Sequence, residues 1–384
     1  MMKNSQKSLT VMIDARYLDG TVKGIGRYTD QLVRHLLDAD RELHIRLVTH
    51  PGCPVPIDHK RVDCKVFKAG PTSLSTRFLL SRCVDFDGVD LFHSPFGLLP
   101  GGLPVPAVAT LHDLMWVVDT SLFTRKLWKR LITGTYYRTT VALSVREAAK
   151  ILTVSKFSKQ AIAEHYPDAA LRTAVTYNGL DPFFCPMPPQ EAWPLLTKWL
   201  PPRSSFVLSV GQGSPYKNHA GAVRAFLEAF GDDPDAYFVL VRRPKRGSSD
   251  DELRALMADE RLNSRLIHLP GVSGEELRAL YSMARVFLFP SLYEGFGLPI
   301  LEAMACGTAV ITSDRGAMAE VGGDGAILVD PKDPRSIARP LRRLFDDDEF
   351  RRMREDLARR RAEDFSWKSC AEETLAAYRE ILAD

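Results

Sequence analysis

The sequence predicts an α/β protein of two domains, each a parallel sheet covered by helices on both faces. Three observations carry this prediction. Short apolar runs alternate with helical patterns through the first half. The alternation starts over in the second half, and a proline-crowded stretch divides the two. Alternation of this kind demands parallel strands buried on both sides. A length of 384 residues fits two domains.

In the first half, Leu9–Ile13, Ile45–Thr49, Val105–Leu111 and Ile151–Val154 read as buried strands. Arg27–Leu37 reads as a helix with Tyr28, Leu32, Val33, Leu36 and Leu37 on one face. Between Asp181 and Arg203 lie seven prolines, a density that argues against a continuous helix or a central strand and marks an interdomain linker. The second half supplies strands at Phe206–Val210, Tyr237–Val241, Leu266–Leu269, Arg285–Phe289, Ala309–Thr312 and Ala326–Val329. The expected division is residues 1–182, a linker at 183–203, a second domain at 204–365 and a last helix at 366–384. Beyond residue 333 the chain is helical and rich in arginine (Arg351 to Arg354, Arg359 to Arg361), read as a solvated helix face.

Composition excludes several classes. Hydrophobic residues make up 45% and charged residues 26%, ordinary for a globular protein. A net charge of +3 leaves no footprint for nucleic acid. The six cysteines are scattered without metal or redox spacing, which predicts reduced thiols and no metal site. The polar N-terminus does not read as a signal peptide, and no apolar run is long enough to span a bilayer. A cytoplasmic protein is expected, with any membrane association peripheral.

The most informative stretch is Glu294-Gly-Phe-Gly-Leu-Pro-Ile-Leu-Glu302. It follows a predicted strand, turns on Gly295 and Gly297, and enters a helix with Pro299 in its first turn and Gly307 at its stop. The N–H groups around Phe296 and Leu298 and the positive helix end then converge on one point, an anion site. Glu294 and Glu302 flank it and can accept hydroxyl hydrogen bonds. Phosphate beside polyhydroxyl groups describes a nucleotide-sugar.

Other candidates lie at strand ends, where ligands bind in such sheets. Gly211-Gln212-Gly213-Ser-Pro-Tyr-Lys217 opens a helix after a strand and is not a Walker loop, since it lacks Gly-Lys-Ser/Thr. Gly24-Ile-Gly26-Arg27 opens the first helix but is not a dinucleotide fingerprint. His112-Asp113 ends a strand; His93 is a weaker copy of that placement, and Asp14 ends the first strand. A histidine there can bond a sugar hydroxyl or develop positive charge near a leaving phosphate. In Phe123–Ile132, helical projection separates Phe123, Leu127, Trp128, Leu131 and Ile132 from Arg125, Lys126, Lys129 and Arg130. Such a helix either packs its apolar face on the core or lies on an anionic membrane.

The Glu294–Glu302 stretch, with His112-Asp113, Lys217, Tyr177-Asn-Gly-Leu-Asp181, Gly271-Val272 and Asp364-Phe-Ser-Trp367, resembles the retaining glycosyltransferases of family four across nearly the whole chain. The resemblance implies two doubly wound Rossmann-like domains facing across a cleft (the GT-B architecture), which close on the linker, with the last helix crossing back to the N-terminal domain. It implies that Glu302 holds the ribose, Glu294 a hydroxyl of the transferred sugar, and Lys217 with Gly211 and the N–H groups of Gly295–Leu298 the diphosphate. Val272 would meet the base, His112 the sugar, and Gly24, Gly26 and Arg27 the diphosphate or acceptor. Transfer would proceed on one face, the leaving phosphate accepting the acceptor's proton, with Glu294 positioning rather than attacking. The family's phosphate-binding arginine is missing: Gln212 and Tyr216 occupy its places, so either Arg27, Arg242 or Arg243 compensates, or diphosphate binding rests more on Lys217 and the N–H groups. The nucleotide-sugar is a substrate, so no cofactor is implied. The pattern is most similar to bacterial mannosyltransferases of polysaccharide assembly, which implies a GDP-linked donor and a saccharide or lipid-linked acceptor; UDP- and dTDP-sugars stay open.

Two other classes compete. A glycoside hydrolase using Glu294 and Glu302 would need carboxyls about 5 Å apart, whereas eight helical residues rise about 12 Å. An inactive binding member would not need Glu294, Glu302, His112 and Lys217 together.

Overall fold

The structure, a computed structural model, describes residues 8–18, 24–51, 57–122, 127–231, 233–243 and 251–383. The chain divides into two compact units. The first comprises Met1–Leu114, Thr135–Gly179 and Ser366–Asp384; the second comprises Met115–Gly134 and Leu180–Phe365.

The first unit is built on seven parallel strands: β1 Thr10–Asp14, β2 His44–Thr49, β3 Val62–Val66, β4 Leu91–Ser94, β5 Ala107–Leu111, β6 Lys150–Thr153 and β7 Thr173–Val175. Their order is β3-β2-β1-β4-β5-β6-β7. β4 and β5 are buried at every position, so they carry no polar alternation. Strands β3, β4 and β7 were not read from the sequence, being short or weakly apolar. The first helix spans Gly24–Ala39 and buries Tyr28, Leu32, Val33, Leu36 and Leu37, the face its periodicity predicts.

The last helix, Trp367–Ala383, belongs to this unit and buries Trp367, Cys370, Leu375 and Tyr378. Its entry is tight: a Cβ on Gly179 would lie 1.9 Å from the Trp367 nitrogen, so only glycine fits there. The Tyr378 hydroxyl bonds His93 Nδ1 at 2.6 Å, while His93 Nε2 meets the Thr110 hydroxyl at 2.8 Å. Thr110 also bonds the Tyr28 hydroxyl at 3.1 Å. This buried chain ties the last helix to β4, β5 and the first helix.

The second unit is a six-stranded parallel sheet: β8 Ser205–Gln212, β9 Ala236–Arg243, β10 Leu266–Leu269, β11 Val286–Phe289, β12 Ala309–Ser313 and β13 Ala326–Val329. Its order, β10-β9-β8-β11-β12-β13, reverses direction between β8 and β11. The crevice beyond the carboxyl ends of those two strands is where such sheets bind ligands.

Two expectations need correction. The proline-rich stretch contains a helix, Pro189–Leu196, despite Pro194 within it. Pro189 stands in the first turn, where a missing N–H costs nothing, and burial of Ala192 and Leu196 holds the short helix. The late arginines are not all solvated. Arg361 donates to the Glu320 carbonyl at 2.6 Å and the Val321 carbonyl at 3.0 Å, and Arg354 to the Asp324 carbonyl at 2.9 Å. These bonds satisfy carbonyls where the Gly316–Gly322 helix runs out.

Candidate active site

In the second unit, β11 feeds a loop ending at Gly297, which takes φ 102°, a left-handed value that disfavours any side chain. The helix Leu298–Ala305 starts there with Pro299 in its first turn and stops at Gly307, φ 84°. Its N-terminal N–H groups therefore face the crevice beyond β8 and β11. Phe296 turns its ring inward onto Phe365, with centroids 5.6 Å apart, so this residue can offer a ligand only its backbone.

The loop after β8 is fastened to the loop after β11. Leu292 N donates to the Tyr216 carbonyl at 2.7 Å. Asn218, in a left-handed conformation with φ 54°, donates from Nδ2 to the Pro290 carbonyl at 3.1 Å and the Pro331 carbonyl at 2.7 Å. This fastening brings Lys217 Nζ to 2.6 Å from Glu294 Oε1, with the two side chains only 11% and 12% exposed. Two residues 77 apart thus share a mostly buried ion pair. The ammonium also lies 4.9 Å from the Phe289 ring centroid and 5.2 Å from that of Tyr216. Asn218 was missed as a contributor; its place beside Lys217 at a helix entry was the available signal.

Glu302 is buried and accepts from the Tyr281 hydroxyl at 3.0 Å through Oε2. Gly211 faces Arg242 in the β8–β9 register, and Gln212, opposite Arg243, is exposed. Arg242 is buried, whereas Arg243 is exposed and has its Nε 3.9 Å from where a Cβ on Gly271 would stand, next to Val272. Lys217, Glu294, Gly211 and Arg242 thus share the same end of one sheet.

In the first unit, His112 leaves the end of β5 and donates from Nε2 to the Pro95 carbonyl at 2.7 Å. Its ring stands edge-on to Tyr28, 4.7 Å away, which brings it beside the helix turn carrying Gly24, Gly26 and Arg27. Burial pulls the His112 pKa down to about 4, and the bond to Pro95 only partly offsets that. The ring is therefore neutral near pH 7 and, with Nε2 donating, offers Nδ1 as an acceptor. Of the two roles expected of a histidine here, bonding a sugar hydroxyl fits this neutral ring, whereas desolvation opposes positive charge on it. Asp113 is half-buried beside it.

His93 does not take the placement expected of it. It is fully buried with both ring nitrogens bonded, and burial holds its pKa near 3. It pins the last helix and is not placed to touch substrate. Asp14 is likewise engaged, both oxygens meeting Arg16 at 2.8 and 2.5 Å. Arg16 in turn holds the Ala69 carbonyl and the Thr76 hydroxyl.

Of the amphipathic stretch, Phe123–Lys126 lie outside the described residues. The remainder opens the helix Leu127–Glu147, where Trp128, Leu131 and Ile132 are 60%, 70% and 67% exposed. Those three apolar side chains face solvent, not a core. Among the described residues, no helix is long and apolar enough to cross a membrane.

Comparison with known proteins gives the same reading from both halves. Residues 22–183 match the family model described as Glycosyltransferase Family 4, and residues 198–361 match Glycosyl transferases group 1. The O-antigen chain mannosyltransferase B of Escherichia coli is 32% identical over 374 residues, covering 93% of this chain and 96% of that one. The O-antigen chain mannosyltransferase RfbU of Salmonella typhimurium is 30% identical over 59% of this chain and 57% of its own. Among solved structures, a sucrose-phosphate synthase from Thermosynechococcus elongatus superposes with a TM-score of 0.73 at 22% identity, covering 98% and 99% of the two chains. WaaG, a glycosyltransferase involved in lipopolysaccharide biosynthesis, gives 0.73 at 17%, covering 95% and 98%. At those identities the structures speak to the fold alone. The family match along both halves, over a lysine–glutamate pair at one sheet end and a buried glutamate in the helix that follows Glu294, leads to one conclusion: the chain belongs to the family-four glycosyltransferases and has their GT-B fold.

Proposed function

We propose that this glycosyltransferase moves mannose from a GDP-linked donor, with retention of anomeric configuration, onto a saccharide or lipid-linked saccharide acceptor in cell-surface polysaccharide synthesis. The observation that carries the reading is the Lys217–Glu294 pair at the N-terminal end of the Leu298–Ala305 helix. An ammonium, a helix N-terminus and two carboxylates at one sheet end suit a diphosphate flanked by hydroxyl groups. The naming of the similar relatives as mannosyltransferases supports the sugar.

In this reading Glu302 takes the ribose hydroxyls and Glu294 a hydroxyl of the transferred sugar. Lys217 and the N–H groups of Gly295–Leu298 stabilise charge as the diphosphate leaves. Neutral His112 accepts from a sugar hydroxyl through Nδ1. The departing phosphate takes the acceptor's proton, so no side chain serves as nucleophile. Transfer proceeds without a metal, the positive charge at the diphosphate coming from side chains and the helix end. The enzyme works at the cytoplasmic face of the plasma membrane, touching anionic lipid through Trp128, Leu131 and Ile132.

The test is turnover of GDP-mannose, UDP-glucose and dTDP-rhamnose with lipid-linked saccharide acceptors, the product's anomeric coupling read by NMR. An α-mannosyl product from the α-linked donor, undiminished by EDTA, is expected. An inverted anomer would sink retention, turnover of a UDP- or dTDP-sugar alone would replace the donor, and loss with EDTA would overturn metal independence.

A further inference from the structure

The charge at the proposed diphosphate site does not balance on Lys217, Glu294 and Glu302 alone. Lys217 is already matched by Glu294, and Glu302 adds another carboxylate on the same loop and helix. A diphosphate carries several negative charges and gains another on leaving. It would enter a site whose one lysine is already neutralised.

We infer that Arg242 supplies the second cationic arm of this site, with the Ser214 hydroxyl beside it; the inference rests on the diphosphate reading above. Arg242 stands on β9 directly opposite Gly211 in the β8 register and is 6% exposed. Its guanidinium lies against Gly213: a Cβ there would fall 2.7 Å from Nη2 and 3.0 Å from Cζ. Gly213 N donates to the Arg243 carbonyl at 2.9 Å, which folds the loop back onto β9 and fixes this approach. A glycine at 213 therefore lets the guanidinium reach the loop that ends in Lys217. Ser214, the next residue, is 4% exposed, and its Oγ has no hydrogen-bond partner among the described residues. A buried hydroxyl without a partner is costly, and a phosphate oxygen or a bound water would satisfy it. A guanidinium fork and a hydroxyl at one loop suit two phosphate oxygens. The two positions where an arginine is absent from the loop, Gln212 and Tyr216, are thereby answered from the neighbouring strand.

The experiment measures affinity of the whole protein for GDP, UDP and dTDP and for guanosine, uridine and thymidine by ligand-observed NMR competition. Arg242→Ala is expected to weaken the tightest-binding diphosphate by about 10- to 100-fold, the worth of a charge-assisted hydrogen bond, and its nucleoside by less than about threefold. Arg242→Lys should recover part of the loss, and Ser214→Ala should weaken the diphosphate alone, by a few-fold. If Arg242→Ala does not fold, Gly213→Ala replaces it, since the added methyl displaces the guanidinium; the same selective loss is expected. Equal loss for diphosphate and nucleoside would make Arg242 a strut of the loop, and no loss would remove it from the site; either overturns the inference. Lys217→Ala separates the two levels: if it too leaves diphosphate affinity unchanged, the site reading itself fails.

Discussion

The Lys217–Glu294 pair makes a signed prediction that separates binding from transfer. With Nζ and Oε1 2.6 Å apart and both side chains nearly buried, the ammonium is held by the carboxylate before any donor arrives. An incoming diphosphate must share or take over that ammonium. A hydrogen bond to a charged group is worth about 1.5–3 kcal/mol. Glu294→Gln keeps the shape and a weaker acceptor but removes the charge. If about half of the pair's worth is released, nucleoside diphosphate binding should tighten by about 0.75–1.5 kcal/mol, roughly three- to twelvefold. Transfer should nevertheless fall by at least about 100-fold, because the amide no longer accepts as strongly from the sugar hydroxyl. Lys217→Ala should act oppositely on binding, weakening it by about 1.5–3 kcal/mol. Calorimetry of the three proteins with GDP, UDP and dTDP, alongside initial rates, reads both quantities. A Glu294→Gln protein that binds diphosphate as poorly as Lys217→Ala would refute the competition between carboxylate and phosphate.

Three further outcomes are expected. His93 holds a folded pKa near 3 against an ordinary 6.5, so it binds its proton more readily when unfolded; its contribution is complete above pH 6.5 and is lost as pH falls toward 3. Between pH 7 and 4.5 that amounts to about 2–3 kcal/mol, and urea unfolding should show His93→Asn less stable at pH 7 but flatter below pH 6.5 by one proton's slope. The variant Trp128→Ser/Leu131→Ser/Ile132→Ser should lose most cosedimentation with vesicles rich in anionic phospholipid, since each buried side chain is worth about 1.5–3 kcal/mol, and keep its nucleotide affinity; unchanged sedimentation would assign the exposed face elsewhere. Gly297→Ala should cost about 1–2 kcal/mol from its left-handed φ of 102° and weaken diphosphate binding with it, whereas unaltered thermal melting would mean that the loop relaxes freely.

Features fixed by a few neighbouring residues could be read directly along the chain. The strand, glycine turn and helix from Arg285 to Gly307 were legible because apolar run, Gly297, Pro299 and Gly307 each act within a few residues. The apolar face of Gly24–Ala39 was legible for the same reason. Features that need residues far apart in the chain emerged only on folding. Nothing near His93 announces Tyr378, 285 residues away, so a strand-end histidine looked like a ligand and proved to be a pin. Lys217 and Glu294 each looked like a site residue, but only the fastening through Asn218 and Tyr216 makes them a pair. The Pro189–Leu196 helix forms against local propensity because burial of Ala192 and Leu196 outweighs one missing backbone bond. Arg242 could be named as a candidate from its strand end, yet only the parallel register opposite Gly211 and the glycine at 213 bring its guanidinium to the loop. Periodicity and turn chemistry are written in neighbouring residues; pairing, burial and the protonation they impose exist only once distant segments meet.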